Sequence, residues 1–341
     1  VTRESDSGKV VIGAGQVIAE PNFTLPTIEI NEQTMRGEIQ ELYRRMVSGI
    51  LQRAADLGAK ALVLEFEHLP AMTSTPRWGA EIARLIKGIM RDFYRRYRLP
   101  SALRVTIEDC RDMHRRSGER TEILLQAFQE CARAGADILA IESIGGEELW
   151  DEAILKPRDT SEPVDVEAMV FAVGVLGARD MEYLWERIVS ICRKYSVIPG
   201  GDTACAFANK AMQMGLGVYA ALARLLCAPR SLVAVEMGAQ GPLKDCGYEN
   251  LILYLITGVP ISVEGWPSAC AHSSPFGHPF AIGQLSSNES VQHVRLCGSW
   301  ATEVYFSMLA GQVSLLNTAM RRAEANKLRD LLFKADIFRQ P

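Results

Sequence analysis

A chain of 341 residues and 37.7 kDa, 48% hydrophobic and 23% charged, has the balance of an ordinary folded enzyme. Wholesale disorder and collagen-like repetition are excluded on that balance. Lys+Arg of 37 against Asp+Glu of 41 leaves a net charge of −4, which offers no generic attraction to nucleic acid. The longest largely apolar stretch without a charge, Val304 to Met320, carries Ser307, Gln312, Ser314, Asn317 and Thr318 and reads as a buried or amphipathic helix, not a membrane span.

In chain order, the first 36 residues are predicted to be an extension packed on the main domain. Their GAGQVIAEPNFTLP run has Gly13 and Gly15 but not the rest of a dinucleotide fingerprint. From residue 37 helical periods alternate with short apolar runs. Ile39, Leu42, Met46, Ile50 and Ala54 trace one amphipathic helix, and Ile82, Leu85, Ile86, Ile89, Phe93 and Tyr97 another. Strands are predicted at Ala61–Glu65, Leu103–Ile107, Ile138–Glu142, Val170–Val175, Val197–Gly200, Leu232–Glu236 and Ile261–Glu264, with Val291–Cys297 as a weaker eighth. Helices fall around 119–134, 180–194, 205–227 and 246–256, and Pro157–Asp165 reads as a polar loop. Repeated strand–helix units imply parallel strands with crossover helices.

Acids recur where the apolar runs stop: Glu65, Glu67, Glu108, Asp109, Glu142, Asp202, Glu236 and Glu264. An open doubly wound sheet gathers its reactive groups at one crevice. A closed (β/α)8 barrel opens every strand C-terminus onto one face. Acids from many strand ends therefore predict an α/β fold of the (β/α)8 TIM-barrel type, with the barrel at 37–299 and a helical tail at 300–341, acting as one domain.

The eight cysteines are spread out with no CxxC, as in a cytoplasmic protein with reduced thiols, and no export signal opens the sequence. Cys131, Cys192 and Cys227 sit in helical apolar patterns and read as core. Three glycine-bearing stretches each carry a cysteine just beyond a predicted strand end: PGGDTAC (199–205), GPLKDCGYEN (241–250) and EGWPSACAH (264–272). Such cysteines can be buried filler, nucleophiles or metal ligands. Cys205 and Cys246 with Glu142 would outline a three-ligand metal site with an open fourth position. Their separations of 63 and 41 residues match no compact zinc signature, so spacing alone favours ordinary buried cysteines.

Larger words in the sequence say more. LEFEHLPAMTSTPRWGAE (64–81), ADILAIESIGG (136–146), GVLGARDMEYLW (174–185), GGDTACAFANKAM (200–212), APRSLVAVEMGAQGPLKDCGYEN (228–250), ITGVPISVEG (256–265), ACAHSSPFG (269–277) and SNESV (287–291) run in order across nearly the whole sequence. Together they resemble the zinc-containing methanol:corrinoid methyltransferases of methanogens and acetogens. The resemblance implies a TIM barrel holding Zn²⁺ at its strand C-termini through one glutamate and two cysteines. These carry over as Glu142, Cys205 and Cys246, with Cys270 as the alternative to Cys246. It further implies methanol as methyl donor, a partner corrinoid-binding protein supplying the corrinoid, and a dimer of such pairs. The segment 157–165 is longer than the family pattern and the stretch after Met212 shorter. Methoxylated aromatics stay open as donors, and a catalytically silent barrel that only binds the corrinoid protein stays open as a different class.

Two thiolates and a carboxylate would give a zinc site a formal charge of −1, which disfavours methoxide and asks for a nearby general acid. Asp202 and Glu236 are the expected proton donors. His68 reads first as a hydrogen-bonded structural histidine, and the Arg91, Arg95, Arg96 and Arg98 cluster as a solvated helix face.

Overall fold

The computed structural model describes residues 1–13, 16–23, 28–111, 118–160, 163–203, 207–208, 210–211, 214–244, 250–262, 295–296, 299–328 and 330–331. The chain opens with an antiparallel hairpin, β1 (Thr2–Ser5) and β2 (Gly8–Val11). Then come β3 (Asn22–Phe23), α1 (Gln40–Asp56), β4 (Leu62–Glu67), α2 (Pro76–Tyr97), β5 (Ser101–Glu108), α3 (Gly118–Ala134), β6 (Ile138–Glu142), α4 (Glu147–Thr160), α5 (Gly177–Tyr195) and β7 (Ile198–Thr203). Next are α6 (Gly217–Leu226), α7 (Ala228–Glu236), β8 (Leu243–Lys244), α8 (Asn250–Thr257) and β9 (Ile261–Ser262). The short strands β10 (Arg295–Leu296) and β11 (Ser299–Trp300) precede the final helix α9 (Ala301–Arg321).

Strands β3 to β7 form one parallel sheet in sequence order, and β8 pairs in parallel with β9. The approach to β8 continues the sheet, because Gln240 N donates to Pro199 O (2.7 Å) and Gly241 N to Gly200 O (3.0 Å). The architecture is α/β. The strands have two differently packed faces. Leu64, Phe66, Leu103, Val105, Leu139 and Ile141 join the large core shared with the helices. Val63, Ala102, Ile138 and Ile198 point the other way and pack on Val10 and Ile12 of the hairpin.

Above that inner apolar layer lies a polar one. Arg104, fully buried, donates through Nη1 to Pro242 O (2.9 Å) near β8 and to Glu20 (3.3 Å) ahead of β3, and Thr106 donates to Glu65 (2.5 Å). A single side chain on β5 therefore reaches both ends of the strand series, which shows how far the sheet curls. The helical layer curls with it. Tyr305, Phe306 and Leu309 of α9 share a core with Leu42, Met46 and Ile50 of α1.

The hairpin is held under the strand N-termini by a buried ion cluster. Asp137 accepts from Lys87 Nζ (2.5 Å), Arg3 Nε (2.8 Å) and Leu103 N (2.8 Å), and Lys87 also donates to Ser5 and Ser7.

Several predicted elements are corrected. Val170–Val175 is not a strand. It belongs to a continuous helix from Val166 to Tyr195 with a π-helical stretch at Phe171–Leu176. Leu232–Glu236 is the end of α7, which starts on a proline at its first turn. Pro157–Thr160 continues α4 instead of forming a loop. The strands that replace the two misread ones are β3 and β8, each of two residues. Because β3 pairs with β4, the sheet begins inside residues 1–36, ahead of the boundary placed at residue 37. Of the weak eighth strand, Arg295–Leu296 pairs antiparallel with Ser299–Trp300, and the rest lies outside the described residues. The stretch Gly217–Glu236 is apolar and long enough by composition to cross a membrane, but it consists of two helices meeting at Cys227 and buries Arg224 and Arg230.

Candidate functional site

Parallel strands deliver their last residues to one rim, and here those residues are acidic. Register sets Glu67 beside Thr106, Glu108 beside Glu142, and Glu142 beside Thr203. Alternation along β4 and β5 carries Glu67 and Glu108 on the inner face, two residues above Glu65 and Thr106. Asn22 Nδ2 donates to Glu67 Oε1 at 2.8 Å. Glu67, Glu108 and Glu142 are each half-buried, so a group of carboxyls meets at the open end with incomplete access to water.

Crowding like charges there has a cost, and the cluster relieves it with a proton. Burial, the Glu142 charge and a hydrogen bond to Glu142 push the Glu108 carboxyl up to about 10, with Glu67 and Asp109 adding to the effect. The hydrogen-bonded Glu108–Glu142 pair therefore favours holding a proton between its two carboxyls.

The loop after Glu142 is fixed from both sides. On one, Asp109 N donates to Glu142 O (3.0 Å), and the Asp109 carboxylate accepts from Ile144 N (3.3 Å) and from Arg111 (2.7 Å), which also pairs with Asp180 (2.5 Å). On the other, Arg230 donates to Ser143 O (2.9 Å), Gly145 O (3.1 Å) and Asp202 Oδ2 (3.1 Å), while Ser143 donates to Asp202 Oδ1 (2.5 Å). Gly146 needs its lack of a side chain, since φ is +90° and a Cβ would collide with the Ala172 carbonyl.

The expected site residues divide. Glu142 stands at the end of β6, in the carboxyl group just described. Cys205, Cys246 and Cys270 lie outside the described residues, and among those described no cluster of three metal-binding side chains was found. Thr203, the register partner of Glu142, precedes Cys205 by two positions.

The expected proton donors fare differently. Asp202 is buried on β7 and committed to Arg230 and Ser143. These contacts commit Asp202 to fixing the loop after Glu142. Glu236 is exposed at the C-terminus of α7, a few residues before the chain bonds to Pro199 at the start of β7. Helix α7 has Arg230 bonded to Asp202 near the end of β7 and finishes a few residues before the bond to Pro199 at its start, so Glu236 lies toward the opposite rim from Glu142.

The carboxyl at this rim that burial and a neighbouring acid push toward the protonated form is Glu108. Its position at a strand end was legible in the sequence, but its contact with Glu142 depends on strand register. His68 is buried against Thr73 and Cys131, and burial pushes its pKa down to about 3, so it is a neutral structural group.

The sequence pattern of the methanol-cobalamin methyltransferase B subunit family matches residues 5–341. The chain belongs to this family. A methanol–corrinoid protein co-methyltransferase of Methanosarcina barkeri is 38% identical over 342 residues, spanning 97% of this chain and 72% of that protein. The crystal structure of the methanol:cobalamin methyltransferase complex MtaBC from Methanosarcina barkeri superposes with a TM-score of 0.81 at 35% identity, covering all of this chain and 74% of that one. As a B-subunit family member, the chain has its acidic rim at the strand C-termini, where parallel α/β folds place their chemistry.

Proposed function

We propose that this chain transfers the methyl group of methanol to the corrinoid of a partner protein, as a cytoplasmic enzyme. We further propose that it does so with one zinc ion held by Glu142, Cys205 and Cys246. Family membership over residues 5–341 supports the reaction. The observation that carries the site is the half-buried group of carboxyls at the strand C-termini, where register sets Glu142 beside Glu108 on β5 and beside Thr203 on β7, two positions before Cys205.

The donor set suits zinc. Two thiolates and a carboxylate with an open fourth position are a catalytic zinc pattern, and thiolates select against magnesium and calcium. When bound, zinc supplies a Lewis acid for the methanol oxygen and offsets the charge that builds there as the C–O bond weakens.

The chain's own groups do the rest. The departing oxygen keeps the electron pair of the broken bond and needs a proton to leave as water. Glu108, whose carboxyl stands beside Glu142 and is pushed up by burial, is the donor at the rim, in place of Asp202 and Glu236. Asn22 holds Glu67 through its amide, and Asp109 with Arg111 holds the backbone after Glu142. Those contacts keep the carboxyls converging without requiring substrate to organise them.

Metal analysis of the wild type beside Glu142→Gln, Cys205→Ser, Cys246→Ser and Cys270→Ser tests the site. One zinc per wild-type chain is expected, with loss in the first three variants and retention in Cys270→Ser. Retention in Cys246→Ser with loss in Cys270→Ser would exchange the second thiolate. Zinc unaffected by Glu142→Gln would remove the proposal.

A further inference from the structure

We infer that Arg230 is a positioning residue for the metal centre, setting the distance between the end of β6, which bears Glu142, and the end of β7, which lies two residues before Cys205 in sequence. The inference rests on the ligand set proposed above and adds to it a residue that is no ligand and touches no substrate.

Arg230 comes from α7, outside the two strands it joins, and its side chain is wholly buried. Its donors are divided between two segments. Two backbone carbonyls of the loop after Glu142, those of Ser143 and Gly145, accept from Nη2 and Nη1 at 2.9 and 3.1 Å. Nε serves the β7 side through Asp202 at 3.1 Å, and Nη2 also contacts the Ser143 hydroxyl. That hydroxyl donates to the other oxygen of Asp202 at 2.5 Å, closing a ring of hydrogen bonds across the two strand ends.

A second contact lies beyond Cys205 in sequence, at Phe207. The guanidinium carbon sits 5.3 Å from the centroid of Phe207, whose ring meets Trp150 edge-on at 5.7 Å. Arg230 thus grips residue 202 and residue 207, and Cys205 falls between them in sequence. One rigid fork bears on both flanks of one ligand and on the residue following the other.

Structural economy alone does not require this arrangement. A buried ion pair seldom gains net stability over apolar packing. What a planar, always-charged fork offers is geometry, because its donors are fixed relative to one another. Partners that orient ligands from behind commonly contribute 10–100-fold to metal affinity.

Three proteins are compared by zinc affinity in chelator competition, by the absorption spectrum after cobalt(II) replacement, and by thermal melting: wild type, Arg230→Lys and Ser143→Ala. Lysine keeps the charge but not the fork. Folded Arg230→Lys is expected to bind zinc about 10–100-fold more weakly, with altered cobalt d–d bands. A folded Arg230→Lys with wild-type affinity and spectrum would overturn the inference. If Arg230→Lys does not fold, Ser143→Ala decides: weaker zinc and a shifted spectrum support the inference, and wild-type values overturn it. Wild type without stoichiometric zinc would instead overturn the ligand set itself, a separate result visible before any variant is read.

Discussion

Burial decides the protonation of His68. Its Nδ1 lies 3.2 Å from Thr73 Oγ1 and its Nε2 3.4 Å from the Cys131 sulfur, and its ring packs against Gly79 and Phe66. The same burial pushes the Cys131 thiol up, so two neutral groups face each other. With the histidine pKa down at about 3 from an ordinary 6.5, the unfolded chain binds a proton between those values and the folded chain does not. Stability from this group is fully present above pH 6.5 and is lost as pH falls through that window. Urea unfolding of wild type and His68→Gln at pH 7 and pH 5 reads it directly. Wild type should lose about 2 kcal/mol more than the variant between the two. Parallel losses would show a histidine that titrates normally in the folded protein.

At the scale of elements, the hairpin β1–β2 depends on one carboxylate. Asp137 is wholly buried and joins Arg3 of β1, Lys87 of α2 and the backbone of β5. Asp137→Ala leaves Lys87 buried without its carboxylate, at a cost of about 3–5 kcal/mol, measurable by urea unfolding. Zinc content should stay at the wild-type level, since the cluster lies by the strand N-termini. Nothing near ADILAIE marks that aspartate as structural in the sequence, where it precedes a strand like any turn residue. The elements themselves were legible when periodicity was one-sided: α1, α2, α5 and strands β4 to β6 appear where predicted. Val170–Val175 and Leu232–Glu236 failed because short apolar, β-branched runs fit either period. In the first, Met169, Ala172 and Val173 are buried while Val170, Phe171 and Val175 are exposed, a helical spacing that the unbroken apolar run conceals. Strand β3 was hidden for the opposite reason. Glu20 just ahead of it and its own Asn22 are polar because the inner layer there is ionic.

The whole molecule separates a face built for stability from a face built for chemistry, and the family words in the sequence reported the second better than the first. Glu142 was legible as a motif. The contacts of Glu108 and Arg230 were not, because they depend on register and on a helix misread as a strand. The separation makes a thermodynamic prediction. Zinc bound only by the folded chain stabilises it by mass action, about 2.7 kcal/mol when free zinc is 100-fold above Kd. For a domain of this size that corresponds to a rise of several degrees in Tm after zinc is returned to chelated protein. Glu142→Gln and Cys205→Ser should abolish the rise. Asp137→Ala should lower Tm yet keep the rise undiminished, because distant sites without shared partners add to within about 0.5 kcal/mol. Differential scanning calorimetry of the four proteins, each with and without zinc, measures the coupling. A rise that shrinks along with the Asp137 cluster would mean that the strand N-termini and the acidic rim behave as one cooperative unit, and that the two faces of this fold are not energetically separate.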